Sequence, residues 1–130
     1  MAGKTSRPGA DVRRREITDA AIEVFGEKNY NWATTREIAE RAGVSERTLF
    51  FYFKNKKELY KTAFRQSGQD FMDAVTRGNP PLDDIRTFIK MGSRNVVAFL
   101  KENPLKMKLI IQSVDVTGDP ELKEEIGRMV

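Results

Sequence analysis

The sequence predicts an all-α protein, and three observations carry that prediction. Apolar residues recur at three- and four-residue intervals from Asp11 to the last position, Val130. Capping signatures stand at the starts of those stretches, at Thr34, Ser45, Asn55 and Asp119-Pro120. Glycine and proline punctuate them at Gly43, Gly78-Asn79-Pro80-Pro81, Pro104 and Gly118. A chain of 130 residues makes one domain, or two small ones sharing a core.

Residues 1–10 read as a flexible basic arm containing Lys4, Ser6, Arg7, Pro8 and Gly9. In the first helix, from Asp11, Ile17, Ala20, Ala21, Val24 and Phe25 share one face, while Arg13, Arg14, Arg15, Glu16, Asp19, Glu23 and Glu27 mostly look outward. Asn29 falls where a left-handed C-terminal residue is wanted, and Asn is the usual substitute for Gly there.

The next element is short. Thr34 and Glu37 have the spacing of a capping box, with the Thr34 hydroxyl on the Glu37 amide and the Glu37 carboxylate reaching back to the Thr34 amide. Ile38, Ala39 and Ala42 form its inner face, and Gly43 ends it with Val44 as the following apolar residue. Ser45 caps a third helix only two residues later. Two short helices about a glycine corner make a helix-turn-helix, a motif whose second helix lies in the DNA major groove. Leu49 and Phe53 would face inward, with Arg47, Thr48, Phe51 and Tyr52 more exposed.

Asn55 and Glu58 cap a long fourth helix running to about Arg77, roughly 33 Å at 1.5 Å per residue, with Leu59, Tyr60, Ala63, Phe64, Phe71, Met72 and Val75 on its buried face. Ile85, Phe88, Ile89, Gly92, Val96, Phe99 and Leu100 define a fifth helix, closed at Asn103-Pro104. Leu105, Leu109, Ile110 and Val114 mark a sixth, stopped by Gly118, and Leu122, Ile126, Met129 and Val130 a seventh.

Composition excludes several chemistries. With neither Cys nor His, the chain has no disulfide, thiolate nucleophile, imidazole base or Cys/His zinc site. We therefore assign no catalytic residue, metal or cofactor. No leader-like apolar segment opens the chain, and no apolar run approaches the ~20 residues that span a bilayer, so a soluble cytoplasmic protein without a membrane partner is expected. The formal charge of +4 is unevenly spread: residues 1–65 hold 14 Lys and Arg against nine acids, whereas residues 66–130 hold nine against ten. That asymmetry suggests a polyanion partner for the first half.

The string TTREIAERAGVSERTLFFYFKNKKELY, preceded by AAIEVFGEKNY, resembles the N-terminal DNA-binding domain of tetracycline-repressor-type (TetR family) transcriptional regulators over about residues 12–64. The resemblance implies a helix-turn-helix domain over residues 11–55. It implies a helical ligand-binding and dimerisation domain over residues 56–130, entered through the long fourth helix. It also implies two further helices for the dimer, which the pattern ending at Val130 does not supply, so we expect that domain to be incomplete at its C-terminus.

Carried onto this chain, the resemblance assigns phosphate contacts to Thr35, Tyr52 and Lys56, where a helix start, a phenol and an ammonium suit phosphate oxygens. Base reading falls to Ser45, Glu46, Arg47 and Thr48, with Arg36 nearby; Arg47 is suited to guanine by bidentate pairing. Arg47 departs from the Gly common in the family, and Phe50 lacks the hydroxyl of a common Tyr, which points to a packing role. Phe71, Met72, Phe88, Met91 and Met107, with Phe99 weighed beside them, are weak ligand-contact candidates, since such spacing usually marks plain core.

The expected partners are double-stranded DNA carrying a palindromic operator, an unidentified small-molecule inducer, and a second copy in a homodimer. In the implied switch, ligand bound between the fourth and seventh helices shifts the long helix and changes the spacing of the two reading helices. Two other classes are weighed against this: an enzyme using Asp83, Asp84 and Asp115, and a helical protein-interaction module without DNA binding. The acids after the prolines are better explained as first-turn charge complementing a helix dipole.

Overall fold

The computed structural model describes residues 8–78, 84–112 and 120–129, which form seven helices. The first, α1 (Pro8–Trp32), starts three residues earlier than its apolar pattern suggests. Pro8 occupies the first helical position, where its fixed φ is pre-organised and its missing N–H would have been unpaired. Pro8, Gly9 and Ala10 therefore belong to the helix; Lys4, Ser6 and Arg7 lie outside the described residues. Ile17, Ala20, Ala21, Val24 and Phe25 are all buried.

Asn29 interrupts this helix, as its position suggests, but in a conformation other than the left-handed cap. Its φ of 69° is the positive value expected, but its ψ of 165° is extended, and helix resumes beyond it to Trp32. The result is a kink. Past it, Tyr30 packs with Phe25 and Tyr60, the latter two rings meeting edge-on at 4.9 Å, while Trp32 stands 77% exposed.

The corner between α2 (Thr35–Ala42) and α3 (Glu46–Tyr52) follows from Gly43. At φ 76° and ψ 29° this residue takes the left-handed conformation that a Cβ disfavours. Its N–H donates to the Glu40 carbonyl at 3.1 Å and that of Val44 to the Ala39 carbonyl at 3.0 Å, the two bonds of a Schellman motif. Thr34 caps α2 by accepting the Glu37 N–H at 3.1 Å. The other half of the expected box is replaced: the Glu37 carboxylate pairs with Lys28 at 2.8 Å and lies 3.8 Å from Arg41. A cation from α1 competes successfully for it.

Asn55 caps α4 (Lys56–Val75), its Oδ1 accepting the Glu58 N–H at 2.8 Å. Leu59, Tyr60, Ala63, Phe64 and Ser67 are buried, but Met72, placed on the same face by its spacing, is exposed. In α5 (Ile85–Glu102) only Phe99 is buried. Its ring meets Phe71 edge-on at 5.4 Å; Phe88, Gly92 and Val96 are half-buried, whereas Ile85, Ile89 and Leu100 are left exposed by the described residues. Asp84 is the N-cap of α5, accepting the Thr87 N–H at 3.3 Å; Asp83 and Asp115 lie outside the described residues, as do Val114, Gly118, Asp119 and Val130.

The second half returns onto the first. Helix α6 (Pro104–Gln112) packs against α1 so closely that a Cβ on Gly26 would stand 2.8 Å from the Leu105 carbonyl oxygen. At its far end the Gln112 amide donates to the Phe25 carbonyl at 3.0 Å. Helix α7 (Pro120–Met129) buries Leu122 and Ile126, and its Glu125 pairs with Lys61 of α4. One buried cluster therefore runs from Ile38 and Leu49 through Leu59 and Phe64 to Leu109, Leu122 and Ile126.

Candidate nucleic-acid interface

Helix α3 is held at its base and open on its outer side. Of its seven residues only Leu49 is buried, anchoring the helix in the shared core. Glu46 and Arg47 are exposed, as are Phe50 and Phe51, the last at 81%. The segment is thus not covered by neighbouring helices.

The start of α3 is rigidly framed. Ser45 caps it, its Oγ accepting the Thr48 N–H at 3.0 Å and donating to Thr48 Oγ1 at 3.1 Å. Both hydroxyls are therefore engaged locally. The Thr35 hydroxyl at the start of α2 donates to Glu46 Oε2 at 2.8 Å, which links two residues expected to touch DNA. Arg36 and Arg47 are exposed and make no ion pair among the described residues, leaving their guanidinium groups available.

At the other end, Tyr52 is half-buried with its ring edge-on to Phe51 at 5.2 Å, and its carbonyl accepts from Arg14 of α1. Lys56, in the first turn of α4, holds its ammonium 4.4 Å from the Tyr30 ring centroid. That site is partly desolvated, and the loss of water lowers the Lys56 pKa from its ordinary 10.5. Its charge is supported by an aromatic face in place of a carboxylate.

Charges on the flank of this surface are mutually neutralised. Arg41 is held by Glu27 at 2.9 Å with Glu23 at 3.6 Å, and the hydrogen bond to Glu27 raises Arg41 and lowers Glu27 from their ordinary values. Arg36, Arg47 and Lys54 beside α3 make no ion pair among the described residues, and the same holds for Arg86, Lys90, Arg94 and Lys101 on α5.

The ligand candidates are not gathered in one place. Phe71 and Met72 line a groove of about 550 Å³ with Phe64, Arg65, Gly68 and Ile110. Phe88, Met91 and Met107 are half-buried and lie outside it; the Met91 methyl would be 3.2 Å from a Cβ on Gly78. One residue at the interface escaped sequence reasoning: Arg14, which donates to the Tyr52 carbonyl, was indistinguishable from its neighbours Arg13 and Arg15.

No helix among the described residues is long and apolar enough to cross a membrane, and none of their carboxylates cluster in a way that could hold a metal ion.

Comparison with known proteins gives a consistent result. Residues 17–63 match the family described as bacterial regulatory proteins, tetR family. The HTH-type transcriptional regulator YvkB of Bacillus subtilis is 46% identical over 127 residues, covering 81% of this chain and 67% of that protein. The HTH-type transcriptional activator FasR of Mycolicibacterium smegmatis is 28% identical over 116 residues, covering 89% of this chain and 52% of its own length, so the chain spans about half of that relative. In fold, a TetR-like transcriptional regulator from Rhodococcus superposes with a TM-score of 0.79 at 20% identity, over 96% of this chain and 65% of the other. The match over residues 17–63 and the extended identity to YvkB lead to one assignment: the chain belongs to the tetR family of bacterial regulatory proteins.

Proposed function

We propose that the protein is a sequence-specific DNA-binding transcriptional regulator that works as a ligand-responsive repressor. The observation that carries this reading is the exposure of α3: a seven-residue helix with one buried anchor, Leu49, and with Glu46, Arg47, Phe50 and Phe51 exposed; neither Arg36 nor Arg47 makes an ion pair among the described residues. Tyr52 and Lys56 hold phosphates, Thr35 joins them when its hydroxyl exchanges Glu46 for a phosphate oxygen, and Arg47 with Thr48 reads base edges. Ser45 and Glu46 act chiefly by framing the helix start, since their side chains are already bonded to Thr48 and Thr35.

A homodimer places two copies of α3 in successive major grooves of a palindromic site. The groove beside Phe71 and Met72 receives the apolar part of an inducer, and Arg65 at its edge suits an anionic group. Close packing of α6 on α1 at Gly26 supports a mechanical route from that groove to the reading helices. The ligand acts only through unequal affinity for the two arrangements.

A mobility-shift titration on genomic fragments at two salt concentrations tests the reading. Retention of a discrete fragment, with affinity falling steeply as salt rises, is expected. Absence of binding to any fragment at either salt concentration would favour a protein-interaction module without DNA binding instead.

A further inference from the structure

Three consecutive arginines in α1 make what looks like a single basic patch, yet each has a different partner. Arg13 lies 3.8 Å from Glu16, and Arg15 bonds Asp19 at 3.0 Å and approaches Asp70 of α4 at 3.9 Å. Arg14 turns the other way. Its Nη1 donates to the Tyr52 carbonyl at 3.1 Å, and its Cζ stands 4.4 Å from the Phe53 ring centroid.

That carbonyl belongs to the last residue of α3. A helix of seven residues is marginal by itself, and its final carbonyls lack intrahelical donors. One of them, that of Leu49, accepts the Phe53 N–H at 3.0 Å. The Tyr52 carbonyl receives the guanidinium, and a cation at this end also complements the helix dipole. The ring of buried Phe53 beneath the guanidinium fixes its plane, so the donor is aimed by two contacts at once.

We propose that Arg14 is a positioning residue for the DNA interface: it fixes the C-terminal end of the reading helix so that the Tyr52 phenol meets its phosphate. It does not itself neutralise a phosphate, despite lying in a run of three consecutive arginines. The inference rests on the DNA-binding reading above and on Tyr52 as a backbone contact.

Because phosphate contacts are independent of sequence, a labelled mixed-sequence duplex is a sufficient probe. Its affinity is measured over a salt series for the wild type, Arg14→Ala, Tyr52→Phe and the double variant, well below each melting temperature. Arg14→Ala is expected to weaken binding about tenfold, within the range for coupled neighbours, with an unchanged salt slope. In the Tyr52→Phe background the same change should cost less than about twofold. Multiplying losses in the double variant, or a salt slope reduced by about 0.9, would overturn the inference by making Arg14 a direct phosphate contact. Unchanged affinity with a lowered melting temperature would overturn it in favour of a purely structural role. A wild type without salt-dependent binding would remove the DNA reading itself, and this inference with it.

Discussion

The Thr35 hydroxyl donates to the Glu46 carboxylate at 2.8 Å, joining the first turn of α2 to the first turn of α3 across the Gly43 corner. This bond holds a negative charge at the start of α3, the helix proposed to read bases, and occupies the hydroxyl proposed to meet a phosphate. Glu46→Gln keeps an acceptor for Thr35 and removes the repulsion of DNA. Affinity for mixed-sequence duplex should rise about threefold, a modest like-charge effect. Thr35→Val should weaken every duplex alike. A fluorescence anisotropy titration of both variants checks the pair, and a loss of affinity in Glu46→Gln would refute the repulsion argument.

In the proposed function Arg47 and Lys56 divide the labour of recognition. Arg47→Ala should cost about 1–3 kcal/mol of discrimination between operator and mixed sequence, while Lys56→Ala should weaken both equally and reduce the salt slope by about 0.9. Competition titrations across salt distinguish the two effects. Indistinguishable variants would end the division.

Lys56 also predicts a pH dependence. Desolvation lowers its pKa from 10.5 in the free protein, and a phosphate partner favours its charged form. Binding therefore takes up a proton in the alkaline window below 10.5, and affinity should fall there as pH rises. Lys56→Gln should flatten that decline; an unaltered profile would assign it to another group.

The glycines at positions 26 and 43 should fail for different reasons. Gly43→Ala introduces a Cβ that meets nothing within 4 Å, so its cost of about 1–2 kcal/mol is conformational strain alone. Gly26→Ala places its Cβ 2.8 Å from the Leu105 carbonyl oxygen and must push α6 from α1, at about 1–3 kcal/mol. Only the second should increase hydrogen exchange in α6. Denaturant unfolding and exchange measured together separate the cases.

The ion pair between Lys61 and Glu125 secures α7 to α4, with Glu58 also on Lys61. Hydrogen bonding to Lys61 lowers Glu125 from 4.5, and hydrogen bonds from Glu125 and Glu58 raise Lys61 from 10.5. The Glu125 contribution is complete above 4.5 and lost as pH falls through its lowered value; the Lys61 contribution is complete below 10.5 and lost only above it. Helix α7 should therefore loosen first under acid, seen as early proteolysis near Leu122. Glu125→Gln should remove that acid sensitivity.

Local signals made much of this molecule legible in advance. The Gly43 corner and the caps at Thr34, Ser45 and Asn55 each depend on a few adjacent residues, so the helix-turn-helix and its exposed face could be read without coordinates. Periodicity likewise located Leu109, Leu122 and Ile126. Contacts between distant segments could not be read this way, because residue type says nothing of which partner wins. Glu37 chose Lys28 over its own helix amide, Thr35 met Glu46, and Arg14, alone among three arginines, reached the end of α3. The exposure of Met72, Ile85 and Ile89 follows the same logic: spacing puts an apolar residue on a face, but only the packing of neighbouring helices determines whether that face is covered.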